Sequence, residues 1–230
     1  MGDQTPRRHA SPPCLACEFD PTYFDPLGAD PEQARDVARW RKAERERLRA
    51  ERLALDAPAR RRADQALAGH LRRLLDMRSD GARGRILAGY WPIAGEPDLR
   101  ATLCDLHADG VTIALPVVET QAAPLVFRRW TPASVLVRGH AGIPVPSSAA
   151  DALTPDILLA PVLGWDERAF RLGYGGGYVD RTLAALARRP FAIAIGYRAQ
   201  RLATIFPQPH DIALDVVLVE DGVAATRGAS

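Results

Sequence analysis

The sequence predicts an α/β fold whose sheet is covered on both faces. Short apolar runs rich in β-branched residues recur from Arg85 onward: RILAGYW, VTIALPVV, LVFRRW, DILLAPVLGW, FAIAIGY and DVVLV. Helical patterns, among them PDLRATLCDLHADG and VDRTLAALARR, lie between several of them. The runs are also nearly continuous in apolar character, as strands buried on both sides are, without the alternation of a half-exposed sheet. At 230 residues, 47% hydrophobic and 25% charged, the chain suits one domain with a sizeable core.

Residues 1–29 lack periodicity and carry Pro12, Pro13, Pro21 and Pro26, so they read as a flexible tail. A single α/β domain is expected from residue 30 to 230. Its first helix starts at DPEQ, where Asp30 can cap, Pro31 fits the first turn and Gln33 can close a capping box. That helix is predicted to run to about Leu55. A second amphipathic helix follows, with Leu67, Leu71, Leu74 and Leu75 on one face. No internal repeat is present.

Bulk properties exclude several classes. Thirty basic against 28 acidic residues leave a net charge of +2, too little for a chain that coats nucleic acid or an anionic membrane. No apolar run reaches the length of a membrane span. The N-terminus lacks the apolar segment of a secretory signal, and Pro6 stands where a myristoylation motif needs Ser or Thr. The expected location is cytoplasmic. Cys14 and Cys17 form a lone C-x-x-C with no second ligand pair for zinc, and Cys104 stands alone, so reduced thiols are expected.

The chemistry concentrates in RLGYGGGYVDR, residues 171–181. It follows a strand predicted over Asp156 to Trp165 and opens a helix predicted to end before Pro190. Strand ends facing helix N-termini are where α/β sheets bind ligands. Glycines let several backbone N–H groups converge on one anion, and the helix terminus adds partial positive charge. Arg171 can supply a full charge, and Asp180 can hold magnesium through oxygen. The segment matches neither a Walker A loop nor a dinucleotide fingerprint. By spacing alone it is a nucleotide or phosphate site, with a structural turn backed by two core tyrosines as the alternative.

The residues themselves go further. RLGYGGGYVDR closely resembles the signature of the 5-formyltetrahydrofolate cyclo-ligase family, also called methenyltetrahydrofolate synthetases. GYWPIAGEPDL (89–99), GIPVPSSAADALTPDILLAPVLGWD (142–166) and TIFPQPHDIALDVVLVED (204–221) resemble the family's flanking segments. The resemblance covers about residues 35 to 221. It implies a three-layer αβα fold with a mostly parallel or mixed central sheet, similar to the CoA-transferase/ribose-phosphate-isomerase-like architecture. It also implies ATP- and magnesium-dependent closure of 5-formyltetrahydrofolate to the 5,10-methenyl form. Phosphoryl transfer of that kind needs positioning and charge neutralisation more than a strong base.

Carried over position by position, Arg171, Leu172, Gly173, Tyr174, Gly175, Gly176, Gly177, Tyr178 and Val179 match the ATP loop, with Tyr174 to Tyr178 also bordering the folate. Arg171 and Asp180 are the implied catalytic residues, and Asp180 and Asp211 the implied magnesium ligands. Glu96 or Asp98 is expected to hold the pterin, whose N–H groups suit a carboxylate, with Trp91 flanking the ring. His210 is read as a structural neighbour of Asp211. Departures from the family include Trp165 for phenylalanine, Ala169-Phe170 for a glycine-containing turn, Val179 for an aromatic, and, in the first helix, Arg41 for lysine and Glu44 for leucine.

The first helix carries seven basic residues between Arg39 and Arg52 against three glutamates. Most read as a solvated face laced with i,i+4 pairs. The family has a basic element here that reaches ATP phosphates, which places Arg41, Lys42 and Arg45 at the nucleotide; Lys42 is the only lysine of the chain. Small-molecule partners, ATP and a reduced folate, and a monomeric chain are therefore expected, without nucleic acid or membrane. The competing readings are an ATP- or pterin-binding paralogue without ring closure, and a nucleic-acid module using the arginine helix.

Overall fold

The computed structural model describes residues 31–228. The tail, with Cys14 and Cys17, and the cap at Asp30 lie outside the described residues. Described residues up to Glu44 belong to one compact unit and those from Arg45 to another, which contains the sheet.

In chain order the elements are α1 (Pro31–Ala54), α2 (Ala57–Ser79), β1 (Ile86–Ala88), α3 (Arg100–Ala108), β2 (Thr112–Val117) and β3 (Val126–Trp130). They continue with β4 (Leu136–Arg138), β5 (Pro144–Pro146), β6 (Ala152–Leu153), β7 (Ile157–Pro161), β8 (Gly164–Trp165) and β9 (Arg171–Leu172). The chain then forms α4 (Tyr178–Ala185), β10 (Phe191–Ile195), β11 (Val216–Val219) and β12 (Gly222–Thr226). Asp56 caps α2 by accepting the Ala59 N–H at 2.6 Å, and Asp80 ends it in a left-handed conformation.

Eight strands form the main sheet in the order β12-β11-β10-β7-β1-β2-β3-β6. The pairs β11–β10, β10–β7, β7–β1 and β1–β2 are parallel, while β12, β3 and β6 join antiparallel at the edges. The expected α/β fold with a mostly parallel, mixed sheet is thus the observed one. One predicted strand is corrected. The run from Asp156 to Trp165 breaks after Pro161, and Gly164–Trp165 pairs instead with Arg171–Leu172 as a separate two-stranded ribbon. Proline lacks the N–H a central ladder requires, so it ends the strand.

The two faces of the sheet differ in bulk. Leu87, Ile113, Leu115, Ile157, Leu159, Ile193, Ile195 and Leu218 point to one side, under Leu67, Leu71, Leu74 and Leu75 of α2 and Leu103 and Leu106 of α3. Ala88, Ala114, Leu158, Ala160, Ala192, Ala194 and Val217 point to the other, under Leu183 of α4, Trp165, Ala169 and Leu214. Each buried leucine of α2 contributes on the order of 2 kcal/mol. The alanine side admits backbone close to the sheet.

Chain direction fixes where a ligand can sit. From β1 the path moves one way to β2 and later returns to the other side of β1 as β7. The crevice between the carboxyl ends of β1 and β7 is therefore the topological switch point, where open α/β sheets bind ligands. The segment after β1 carries Glu96, and the segment after β7 leads to the glycine loop.

Candidate active site

The glycine loop spans the end of β9 and the start of α4. Gly177 occupies the cap position with φ of 63° and makes no side-chain cap bond, so the first amides of α4 have no side-chain acceptor there. Gly175 sits at φ of 103°, a conformation open essentially to glycine. Arg45 of α1 donates from Nε to the Gly173 carbonyl at 2.8 Å. Its guanidinium carbon would lie 3.6 Å from a Cβ built on Gly175, so this cation is laid along the loop. Arg41 and Lys42 belong to the other compact unit.

Neither tyrosine of the loop is a core residue. Tyr174 is 45% exposed, and Tyr178 is half-buried with its ring edge-on to His140. Val179 packs against the alanine side of the core. Ala169, which stands where a glycine-containing turn is expected, adopts φ of 60° and is fully buried. Left-handed backbone costs a non-glycine residue roughly 1–2 kcal/mol.

Arg171 and Asp180 form an ion pair at 2.7 Å, with side-chain exposures of 6% and 16%. Arg171 also donates to the Ile212 carbonyl at 3.0 Å, and Asp180 accepts the Ile212 N–H at 2.9 Å. Burial pushes the guanidinium below its ordinary pKa, and the charges of Asp180 and Asp211 oppose that shift. Asp211, the residue before Ile212, accepts the Gln208 N–H at 2.6 Å, while His210 is exposed beside it. Asp180 thus pairs with Arg171 and bonds the residue after Asp211, whose charge acts on the same guanidinium. Among the described residues no group of three or more His, Cys, Asp or Glu side chains could hold a metal. Two converging carboxylates nevertheless fit magnesium, which keeps several waters and is bound through one or two carboxylates plus substrate phosphates.

The structure separates the two candidates for the pterin. Glu96 is 4% exposed and accepts the Ile93 N–H at 3.0 Å. Burial raises its carboxyl to about 7, with the Ile93 N–H, Arg52 and Tyr174 pulling the other way. Asp98 lies in a different environment. Its carboxylate takes two oxygens' worth of bonds from Arg100, which holds it below the usual carboxylate range. Trp91 sits 5.3 Å beneath the guanidinium of the same Arg100. Glu96 is electrostatically coupled to Tyr174 of the glycine loop, whereas Asp98 and Trp91 share Arg100.

One residue of this cluster escapes sequence reasoning. Arg52 is 3% exposed and donates to the carbonyls of Ala94 at 3.1 Å and Val162 at 3.3 Å and to the Tyr174 hydroxyl. In the sequence it is one arginine among seven basic residues. Its spacing of seven from Arg45, which returns to the same helical face, is the only sign.

Residues 37–220 match the 5-formyltetrahydrofolate cyclo-ligase family, and the chain belongs to it. It is 34% identical over 153 residues to the 5-formyltetrahydrofolate cyclo-ligase of Mycolicibacterium smegmatis, covering 63% of this chain and 78% of that one. The enzyme of the same name from Haemophilus influenzae is 27% identical over 181 residues, 76% of this chain and 95% of the relative. The solution structure of Aquifex aeolicus 5,10-methenyltetrahydrofolate synthetase superposes with a TM-score of 0.69 at 25% identity, covering 83% of this chain and 94% of the other.

Proposed function

We propose that this chain closes 5-formyltetrahydrofolate to 5,10-methenyltetrahydrofolate with magnesium-ATP. The formyl oxygen takes the γ-phosphoryl group and ADP leaves. N10 then attacks the activated formyl carbon, and phosphate departs as the methenyl bridge forms. One observation supports the reading beyond family membership: Arg52 donates both to the Tyr174 hydroxyl of the glycine loop and to the Ala94 carbonyl two residues before Glu96, so the segments read as the nucleotide side and the pterin side are tied together beyond β7 and β1.

The residues divide the work by chemistry. Amides of Gly173 to Val179 and the first turn of α4 receive phosphate oxygens, and Arg45 adds a full positive charge beside them. Glu96 accepts pterin N–H groups, with Tyr174 and Tyr178 bordering the folate. Asp180 and Asp211 would hold magnesium, whose charge when bound neutralises phosphate oxygens as the phosphoryl group transfers. Arg171 keeps Asp180 in place and supplies charge behind the loop.

The arginine helix gives little support to nucleic-acid binding. Arg45 and Arg52 turn inward to carbonyls, and Arg47 pairs with Glu51 at 2.6 Å, which leaves no one-sided stripe among these residues. The deciding experiment mixes protein, 5-formyltetrahydrofolate, magnesium and ATP and follows the methenyl chromophore. Its appearance only with ATP supports the proposal. ATP binding with no chromophore at any folate concentration would leave a paralogue without ring closure.

A further inference from the structure

We propose that Arg52 is the positioning residue of the folate side of the site, setting the Tyr174 hydroxyl and the Glu96 carboxylate in the arrangement that receives the pterin. The inference rests on the assignment of Glu96 to the pterin. Arg52 itself is outside the loop, the metal carboxylates and the phosphate-binding cations.

A guanidinium this buried is costly unless its charge is used. The hydrogen-bond acceptors of Arg52 are neutral. Two are carbonyls, Ala94 O and Val162 O, which lie on the segments leaving β1 and β7. Those bonds fix the planar fork and leave Nη2 aimed at the Tyr174 hydroxyl. The guanidinium also lies 5.6 Å over the Tyr174 ring. Arg52 thus ties together three segments that come from both sides of the switch point.

The consequence is a hydrogen-bond direction. A phenol has one proton. Because Arg52 can only donate, the Tyr174 oxygen accepts from it, which leaves the phenol's own proton to be offered toward Glu96, whose charge acts on Tyr174. Glu96 is faced by Arg52 from α1, by Tyr174 from the glycine loop and by the Ile93 N–H from its own segment. Tyr90 lies nearby but donates its hydroxyl to the Pro97 carbonyl at 2.6 Å. Arg52 is therefore the cation that favours the ionised carboxylate against its burial.

The test compares wild type, Arg52→Met, Arg52→Lys and Glu96→Gln by steady-state kinetics from about pH 6 to 9, with both substrates varied. Arg52→Met is expected to raise the folate KM about tenfold or more at neutral pH while changing the ATP KM less than about threefold. The acid limb of kcat/KM for folate should move up by roughly one pH unit, so the defect shrinks in alkali. Arg52→Lys restores the charge but not the fork, and should return the limb while the folate KM stays raised. Equal losses toward both substrates with an unmoved limb would overturn the proposal and leave Arg52 a structural tie. If Glu96→Gln leaves the folate KM unchanged, the pterin assignment fails instead. Should Arg52→Met not fold, Tyr174→Phe replaces it: loss of folate affinity with ATP affinity kept supports the relay, and unchanged folate affinity ends it.

Discussion

Asp180, in the first turn of α4, accepts the amide proton of Ile212 at 2.9 Å, which stitches the glycine loop to the segment that carries Asp211. The other oxygen of Asp180 holds Arg171 at 2.7 Å. This aspartate has a structural task besides any metal.

Asp180→Asn is therefore expected to weaken the fold as well as turnover. Breaking a buried ion pair from one side leaves the partner's charge uncompensated, at a cost of about 3 kcal/mol or more. Thermal denaturation should show a lowered Tm in the variant even without substrates. The pair Arg171→Met, Asp180→Asn should lose less than the sum of the single changes. An unchanged Tm in the single variant would remove the pair from the stability account.

Glu96→Gln should trade activity for stability. The folded carboxyl is raised from 4.5 to about 7, so the folded state binds the proton more tightly than the unfolded chain does. Between those two values stability falls as pH rises, by on the order of 3 kcal/mol in total, and then levels off. The variant should lose that slope, melt higher than wild type at pH 8, and bind folate at least about tenfold more weakly. Asp98→Asn, with its carboxylate tied to half-exposed Arg100, should change folate affinity less than about threefold.

Arg45→Ala should raise the ATP KM about tenfold or more, since the change removes both a charge and the bond to the Gly173 carbonyl. The folate KM should move far less. Isothermal titration with ATP checks the binding component directly, and unaltered ATP affinity would take Arg45 out of the phosphate site.

Gly175→Ala should impair ATP binding while leaving the Tm within a few degrees of wild type. An L-residue at φ of 103° must rebuild the local backbone, and that rebuilding displaces the amides of the loop. Gly173→Ala is the control, because a Cβ there meets nothing within 4 Å and no positive φ is required.

Much of the fold was legible because the parallel strands are buried on both faces and so leave long apolar runs. The same property hid where DILLAPVLGW stops, since hydrophobicity continues through Val162 and Leu163 although the ladder ends at Pro161. The ribbons β4–β5 and β8–β9 involve two or three residues each and carry no periodicity. In the site, the glycine loop announced itself by composition, and the convergence of Asp180 and Asp211 came from resemblance. What separates Glu96 from Asp98 is burial and partners. Two carboxylates two positions apart differ only in what surrounds them, and for Asp98 that is the neighbouring Arg100.

The unequal faces of the sheet leave the two sides of the molecule with different evolutionary latitude. Under α2 and α3, one branched side chain can stand in for another of similar volume, because leucines and isoleucines there repack against each other. Positions 88, 114, 160, 192 and 194 are buried alanines clustered with Leu183 of α4 and Ala169 of the turn before Arg171, so a larger side chain there must displace its neighbours. Drift on the first side changes the margin of stability, whereas drift on the second would first be felt by the backbone of the glycine loop.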